Sequence, residues 1–149
     1  MSLSKLLASS VALTGIWVFL PLTFIGCDTT TDDDNLLAGG ILATFEVEAE
    51  QFKIWITNEA TILQVLDLRD GKSNASIPNG VVRRNSGQDN HNAPWNWHID
   101  PVEVEMAENT IEVCSGLPSF IENDLDEWVD NVGRFCPWSA ELISLVDHR

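Results

Sequence analysis

Apolar and polar residues alternate along two adjacent stretches of the chain, the first of which begins at Ile41. In residues 41–49 every second residue is apolar, and most of the others are Thr or Glu. In the second stretch Phe52, Ile54 and Ile56 alternate with Lys, Trp and Thr. Two adjacent alternating stretches predict an antiparallel β-hairpin with one buried face and one face toward solvent.

Two other stretches repeat their apolar residues at the spacing of an α-helix. The first is capped by Thr57 or Asn58, runs to about Arg69, and carries the apolar residues Ile62, Leu63, Val65 and Leu66. The second begins at Pro118, which suits a first helical turn, and ends at Gly133. Its apolar residues are Ile121, Leu125, Trp128, Val129 and Val132.

The remaining pattern predicts further strands and one long loop. Alternation in residues 102–106 and 111–113 predicts a second hairpin with its turn at residues 107–109, and short strands are expected at residues 81–84 and 141–146. The polar residues 85–92 predict a long loop, and such loops are often functional or mobile. Because strands and helices come in blocks, the predicted class is α+β, with an antiparallel sheet of two hairpins and two packed helices.

The first 26 residues have the features of a secretory signal peptide that ends in a bacterial lipobox. Lys5 gives the positive start, residues 6–25 are mostly apolar, and Gly26 precedes Cys27, which would become the lipidated first residue of the mature chain. An uncleaved anchor or a plain signal peptide is the alternative, since about 20 apolar residues can span a bilayer. We expect a lipid-anchored, palmitate-carrying protein on the extracytoplasmic side of a bacterial membrane.

The residues after the leader divide into a linker and a domain. Residues 27–40 comprise the lipidated cysteine and a polar, acidic linker that we expect to be disordered. Its aspartates at residues 32–34 lack the oxygen spacing and the glycine of a calcium-binding loop. Residues 41–149 are expected to form a single α+β domain.

The charge of the chain narrows the choice of partners. With 8 basic and 23 acidic residues, the net charge is −15. No basic stripe is present to neutralise phosphates, so the composition argues against nucleic acid as a partner. Electrostatic binding to anionic lipid is disfavoured for the same reason, so we expect the membrane to be bound through the acyl chains on Cys27.

Two cysteines, Cys114 and Cys136, lie within the expected domain. An even pair in an oxidising compartment predicts a disulfide bond. This bond would close a loop of 21 intervening residues and contribute on the order of 3 kcal/mol. A metal site would need a second close cysteine pair or a nearby histidine, and the sequence shows neither.

The best candidates for catalytic chemistry are His98 and Asp100. On an extended strand the two share one face, where a histidine base with an orienting carboxylate could act. With His91 they could also offer metal ligands. Neither a nucleophile motif nor a third well-spaced ligand accompanies them. We therefore expect both residues to bond nearby backbone and close a turn before Pro101, with no metal and no cofactor.

Three tryptophans, Trp95, Trp97 and Trp138, suggest an aromatic platform for sugars or peptides, because aromatic rings are enriched at binding surfaces. The alternative is core packing, because a domain of this size needs bulky apolar residues. Core packing is the expectation that we favour, and the binding surface is kept as the second hypothesis.

Three motifs in a set order carry a resemblance to a known family. They are WNWHIDP at residues 95–101, TIEVC at residues 110–114 and FCPWS at residues 135–139. Together they resemble a largely uncharacterised family of small exported bacterial domains with WNxHxDP, TIEVC and FCPWS motifs, over residues 43–146. The resemblance implies an exported, disulfide-containing domain and carries over no catalytic residue.

From these features we expect a membrane-tethered, non-enzymatic binding or accessory module of the cell envelope, with an envelope protein or a glycan as its partner. The main alternative is a small extracytoplasmic hydrolase or metal-dependent enzyme that uses His98 and Asp100. A third hypothesis, a secreted enzyme inhibitor, fits the size and the disulfide but comes without a recognisable reactive loop.

Overall fold

A computed structural model of the chain describes residues 37–149. The predicted signal peptide, the lipobox with Cys27 and linker residues 28–36 lie outside the described residues. Leu37 is buried, and Gly39 and Gly40 both form backbone hydrogen bonds with His148. Residues 37–40, which the sequence pattern assigned to the linker, therefore form part of the fold.

The described residues form two three-stranded sheets and several short helices. In chain order the elements are β1 (Ile41–Val47), β2 (Glu50–Ile56), helix α1 (Glu59–Arg69), β3 (Ile77–Arg84), β4 (Trp97–Ala107), helices α2 (Pro118–Asn123) and α3 (Leu125–Glu127), β5 (Arg134–Phe135) and β6 (Glu141–Asp147). Sheet A has the strand order β2-β1-β6, and sheet B has the order β4-β3-β5. All neighbouring strands are antiparallel, so the α+β class is confirmed. Within residues 37–149, no helix is long and apolar enough to cross a bilayer.

Sheet A contains the predicted first hairpin and the predicted final strand. β1 pairs with β2 from Ile41 opposite Ile56 to Val47 opposite Glu50. On its other side β1 pairs with β6, with an irregularity in register after Thr44. The central strand is therefore β1, and five of its seven residues are buried.

Helix α1 follows the hairpin as the pattern predicts. Asn58 is its N-cap, and the Asn58 side chain accepts hydrogen bonds from the backbone N–H groups of Ala60 and Thr61 at 3.0 and 3.3 Å. Such caps satisfy N–H groups that have no partner inside the helix. Ile62 and Val65 are buried, so the helix packs on the core through this face.

The strand pairing in sheet B differs from the predicted second hairpin, and that prediction is wrong. β4 pairs with β3, from Trp97 opposite Arg84 to Ala107 opposite Ile77, and residues 111–113 form no strand. Ile111 is 68 % exposed, because this segment ends in a 3₁₀ turn that the disulfide bond ties to Cys136, just after β5, and it does not pair with β4. The alternating residues 111–113 therefore form no strand, because β4 pairs with β3 and not with them.

The predicted helix from Pro118 to Val132 is present but interrupted. Pro118 starts α2 and Gly133, at a φ of 77°, ends the segment, as predicted. Asp124 takes an extended φ of −140°, which interrupts the helical backbone between α2 and α3. A π-helical turn at Trp128–Val132 then completes the segment.

The core between the two sheets is rich in aromatic rings. Phe52 lies 5.9 Å from Phe45 and from Trp97, and Phe135 lies 5.4 Å from Phe52 and 5.8 Å from Trp128, centroid to centroid. These separations are typical of favourable aromatic pairs. A smaller apolar cluster beside this core contains the disulfide.

The predicted disulfide between Cys114 and Cys136 is confirmed, with 5.2 Å between the two Cα atoms. Both cysteines are buried against Ile77. The bond spans the interrupted helical segment, and residues 137–140 lead from it directly into β6.

Candidate functional site

The polar residues between β3 and β4, here called the cap loop (residues 85–96), are hydrogen-bonded across the loop. The Asn85 N–H donates to the Asn96 carbonyl at 2.8 Å, and the Asn92 N–H donates to the Ser86 carbonyl at 3.0 Å. The Ser86 hydroxyl donates to the Trp95 carbonyl at 2.6 Å. The loop is therefore held to the fold along its length.

The cap loop covers the free edge of β2. The Lys53 N–H donates to Oδ1 of the buried Asn92 at 2.7 Å, and the Asn92 amide donates to the Trp97 carbonyl at 2.8 Å. The Trp95 indole N–H donates to the Gln51 carbonyl at 2.8 Å. Side chains of the loop thus bond backbone groups of β2 that face away from β1.

His98 lies on β4 behind the cap loop and is partly exposed. Its Nδ1 lies 2.8 Å from the Asn85 carbonyl oxygen. None of the hydrogen bonds within residues 37–149 joins His98 to Asp100. The two residues therefore lack the contact through which a carboxylate orients a histidine base.

Asp100 is used to shape the chain around Pro101. Its Oδ1 accepts hydrogen bonds from the N–H groups of Val102 and Glu103 at 3.0 and 3.2 Å, and its Oδ2 accepts one from Arg83 at 3.0 Å. Partial burial acts to raise the pKa of Asp100, but these hydrogen bonds and the Arg83 charge outweigh burial and hold the pKa below its usual value. Asp100 is thus an ionised residue within β4 that shapes the strand where its register with β3 is irregular, and the turn that was expected before Pro101 is not formed.

His91 is buried in the cap loop, with 6 % of its surface exposed. Its Nδ1 lies 2.9 Å from the Gln88 carbonyl oxygen, and its Nε2 has no partner among the described residues. Its ring lies 5.9 Å from that of His98, nearly perpendicular to it. Burial lowers the pKa of His91. Residues 37–149 contain no group of three or more His, Cys, Asp or Glu side chains placed to hold a metal ion.

The three tryptophans suggested as a binding surface do not share one. Trp97 is fully buried in the core, and Trp95 is partly buried with its indole N–H bonded to the edge of β2. Trp138, in contrast, is 50 % exposed. The hypothesis of a joint surface is therefore wrong for Trp97, because its ring is needed between the two sheets.

Trp138 lies at one end of a groove of about 760 Å³ that runs beside β6, here called the β6 groove. Two other cavities in the described part of the chain have volumes of about 370 and 220 Å³. The lining of the β6 groove comes from the end of α1, from Ser76 and from the start and middle of β6: Leu68, Arg69, Ser76 and residues 138–145. Consecutive residues of one strand line it, so the groove follows the edge of β6.

The strand β6 has an unusual distribution of apolar residues. Leu142, Ile143, Leu145 and Val146 do not alternate with polar residues, so both faces of the strand are apolar. None of the seven residues of β6 is buried, and Ile143 and Val146 are about half exposed. The absence of alternation was the sequence signal for this surface, and the sequence analysis did not use it.

The start of the β6 groove is acidic. Glu141 lies directly opposite Glu46 of β1 in the sheet, and its side chain forms no hydrogen bond or ion pair with the described residues. At the other end of β6, Asp147 is bonded to Arg149 at 2.7 Å, and this hydrogen bond lowers the pKa of Asp147 to about 2. The carboxylate of Glu141 therefore has no ion-pair partner among the described residues, since Arg69, which also lines the groove, is paired with Asp70.

A family model described as the BP-74 N-terminal domain matches residues 41–149. Neither the curated proteins nor the solved structures include a significant match to the chain. The matched range begins at β1 and extends past β6, so it contains both sheets, the cap loop and the β6 groove.

Proposed function

The chain belongs to the BP-74 N-terminal domain family, and on that premise we propose that this domain is a non-enzymatic binding module of a bacterial cell envelope, tethered to the membrane through lipidated Cys27. The observation that carries the binding role is the β6 groove of about 760 Å³. This volume lies in the usual range of binding sites, and exposed apolar surface rimmed by polar residues is typical of sites for partners.

The state of the catalytic candidates supports a binding module over a hydrolase. Asp100 uses both oxygens on Arg83 and on backbone N–H groups, and Nδ1 of His98 contacts the Asn85 carbonyl. Both side chains serve the local structure of β4 and the cap loop. The β6 groove, by comparison, includes the side chains of Trp138 and Ile143, which are about half exposed and form no side-chain hydrogen bond among the described residues.

The partner that the groove favours is an envelope protein rather than a glycan. An aromatic surface that binds sugars needs several exposed rings. Of the three tryptophans suggested for such a surface, only Trp138 has a largely exposed ring in the described part of the chain. The groove instead follows the edge of a strand and offers aliphatic side chains, Ile143 among them. Such a surface is typical of contacts between protein segments.

A photo-crosslinking amino acid in place of Ile143 tests the binding role, in cells that naturally produce the chain. The expected result is a discrete crosslinked envelope protein. The matched control is the same substitution at Leu63, which is 59 % exposed on α1 and does not line the groove. Equal crosslinking at both positions, or none at Ile143, contradicts the proposal.

The anchor is tested separately. Intact mass spectrometry of the mature chain should show a start at Cys27 with added acyl chains, and Cys27→Ala should abolish both processing and lipid mass. A mature chain that starts at another residue contradicts the lipid anchor but leaves the binding role standing.

A further inference from the structure

The direction of the backbone groups along β6 follows from the pairing of sheet A. Thr44 of β1 lies opposite both Lys53 and Ser144. The Lys53 N–H points away from β1, since it donates to the cap loop. In an antiparallel ladder the Thr44 groups then point toward Ser144, and the next residue, Leu145, directs its N–H and carbonyl outward.

These outward groups have no cover in the described part of the chain. β6 is the last strand of sheet A, and no described side chain bonds the backbone of residues 142–146. Natural sheets protect their edges with Lys, Pro, bulges or covering loops. Residues 142–146 contain neither Lys nor Pro, and the one such device in β6 is the register irregularity at Ile143. The opposite edge, β2, is instead covered by the cap loop.

The charge of the chain selects the occupant of this edge. Two copies of a chain with a net charge of −15 repel one another, which disfavours pairing between two β6 strands. Glu141 and Glu46 lie opposite one another, and like charges in this position are unfavourable. A Lys or Arg of a partner strand beside Glu141 would relieve that repulsion.

We infer that β6 binds, by strand addition, an extended segment of a partner protein that presents apolar residues to the β6 groove and a Lys or Arg to Glu141. This inference rests on the proposed binding function and specifies its mode. The backbone of the segment bonds the outward groups of β6, and its side chains contact Trp138 and Ile143. A strand of seven residues spans about 23 Å, enough for a segment of similar length.

The test is a selection from a displayed library of random peptides of about nine residues, enough to cover β6 at about 3.3 Å per residue. It is made on the full chain in detergent. The expected consensus has apolar residues and at least one Lys or Arg, and selection on Ile143→Lys should enrich no such sequence. Leu63→Lys should select the same consensus as the unmodified chain.

The selected peptide is then made with its alternate backbone amides methylated, and both forms are titrated against the chain. Methylation of the amides that face β6 should weaken binding by at least about tenfold, because these amides can then no longer donate hydrogen bonds to β6. A tenfold loss corresponds to about 1.4 kcal/mol of binding free energy. Glu141→Gln should remove the preference for Lys or Arg.

The outcomes separate the mode of binding from the binding function. Equal affinity of the methylated peptide, or an acidic consensus, overturns strand addition while crosslinking at Ile143 preserves the binding role. Failure of both selection and crosslinking overturns both. A dimer that forms with rising protein concentration and that the peptide fails to dissociate would identify a second copy as the occupant and overturn the inference.

Discussion

The two edges of sheet A differ in how their backbone groups are satisfied. At the β2 edge, the Lys53 N–H bonds the Asn92 side chain and the Gln51 carbonyl bonds the Trp95 indole. Further along, the Thr57 N–H donates to the Pro101 carbonyl of β4 at 3.0 Å. At the β6 edge, the backbone of residues 142–146 is hydrogen-bonded to β1. No side chain of the described residues bonds this backbone.

This difference shows what the most distinctive motif of the chain does. In WNWHIDP, at residues 95–101, Trp95 covers the β2 edge, Trp97 fills the core and Asp100 shapes the irregular part of β4. The motif is thus used to close one edge of the sheet. The edge without such cover is the one at which a partner strand can add.

The largest expected effect comes from opening the covered edge with Asn92→Ala. This change leaves the Lys53 N–H and the Trp97 carbonyl without their partner, and each unsatisfied buried group costs about 1–3 kcal/mol. We expect the free energy of unfolding to fall by about 4 kcal/mol in denaturant titrations. The control Asn109→Ala removes an exposed amide that has no hydrogen-bond partner among the described residues, and a similar loss there would contradict the role of Asn92.

Next in size is the disulfide, which holds the chain where it enters β6. Cys136→Ser should lower the free energy of unfolding by about 3 kcal/mol in oxidising buffer, because the unfolded chain gains the freedom of the opened loop. The reduced wild-type chain should match the variant. Two free thiols on alkylation of the native protein would contradict the bond.

Trp95→Phe removes one hydrogen bond from the β2 edge and keeps most of the apolar ring. The Gln51 carbonyl loses its donor, and a net loss of about 1 kcal/mol is expected. Thermal unfolding measured by circular dichroism provides the comparison. No loss at all would mean that water replaces the indole at this edge without cost.

A smaller effect is expected from pH, again at the covered edge. Because burial lowers the pKa of His91, the unfolded chain takes up a proton at this residue more readily than the folded chain as the pH falls below 6.5. His98 and Lys53 also disfavour the charged ring, while the Gln88 carbonyl and Asp89 favour it. Stability should therefore fall as the pH drops below about 6.5, and His91→Phe should reduce that slope. An unchanged slope would contradict this origin.

The smallest effect on stability is expected at the open edge. Ile143 is 48 % exposed, so Ile143→Lys should change the free energy of unfolding by no more than about 0.5 kcal/mol. Its effect should appear in partner binding alone. A loss of stability as large as that of Asn92→Ala would show that Ile143 is a structural residue.

Much of the fold follows from local patterns in the sequence. Alternation from Ile41 predicts the hairpin, the Asn58 cap predicts α1, and the cysteine pair predicts the disulfide. Local pattern fails at residues 111–113 and at Asp124. At residues 111–113 the pattern does not show that β4 pairs with β3. At Asp124 the backbone leaves the helical conformation although the apolar repeat continues through it.

The candidate site depends on topology, which local pattern does not contain. β6 is an edge strand because it pairs with β1, about 100 residues earlier in the chain, and leaves its other side open. The apolar residues of β6 were visible in the sequence, but their exposure follows from that order of strands. The role of Asn92 was equally hidden, because its partners Lys53 and Trp97 become neighbours after folding.

Amide hydrogen exchange at two backbone N–H groups compares the two edges directly. Lys53 and Leu145 both direct their N–H groups away from β1, the first onto Asn92 and the second into the β6 groove. In the free chain the Lys53 amide should exchange slowly and the Leu145 amide rapidly. Addition of the selected peptide should protect Leu145 and leave Lys53 unchanged. A Leu145 amide that is already protected in the free chain, or that is unchanged by the peptide, would contradict an open edge that binds by strand addition.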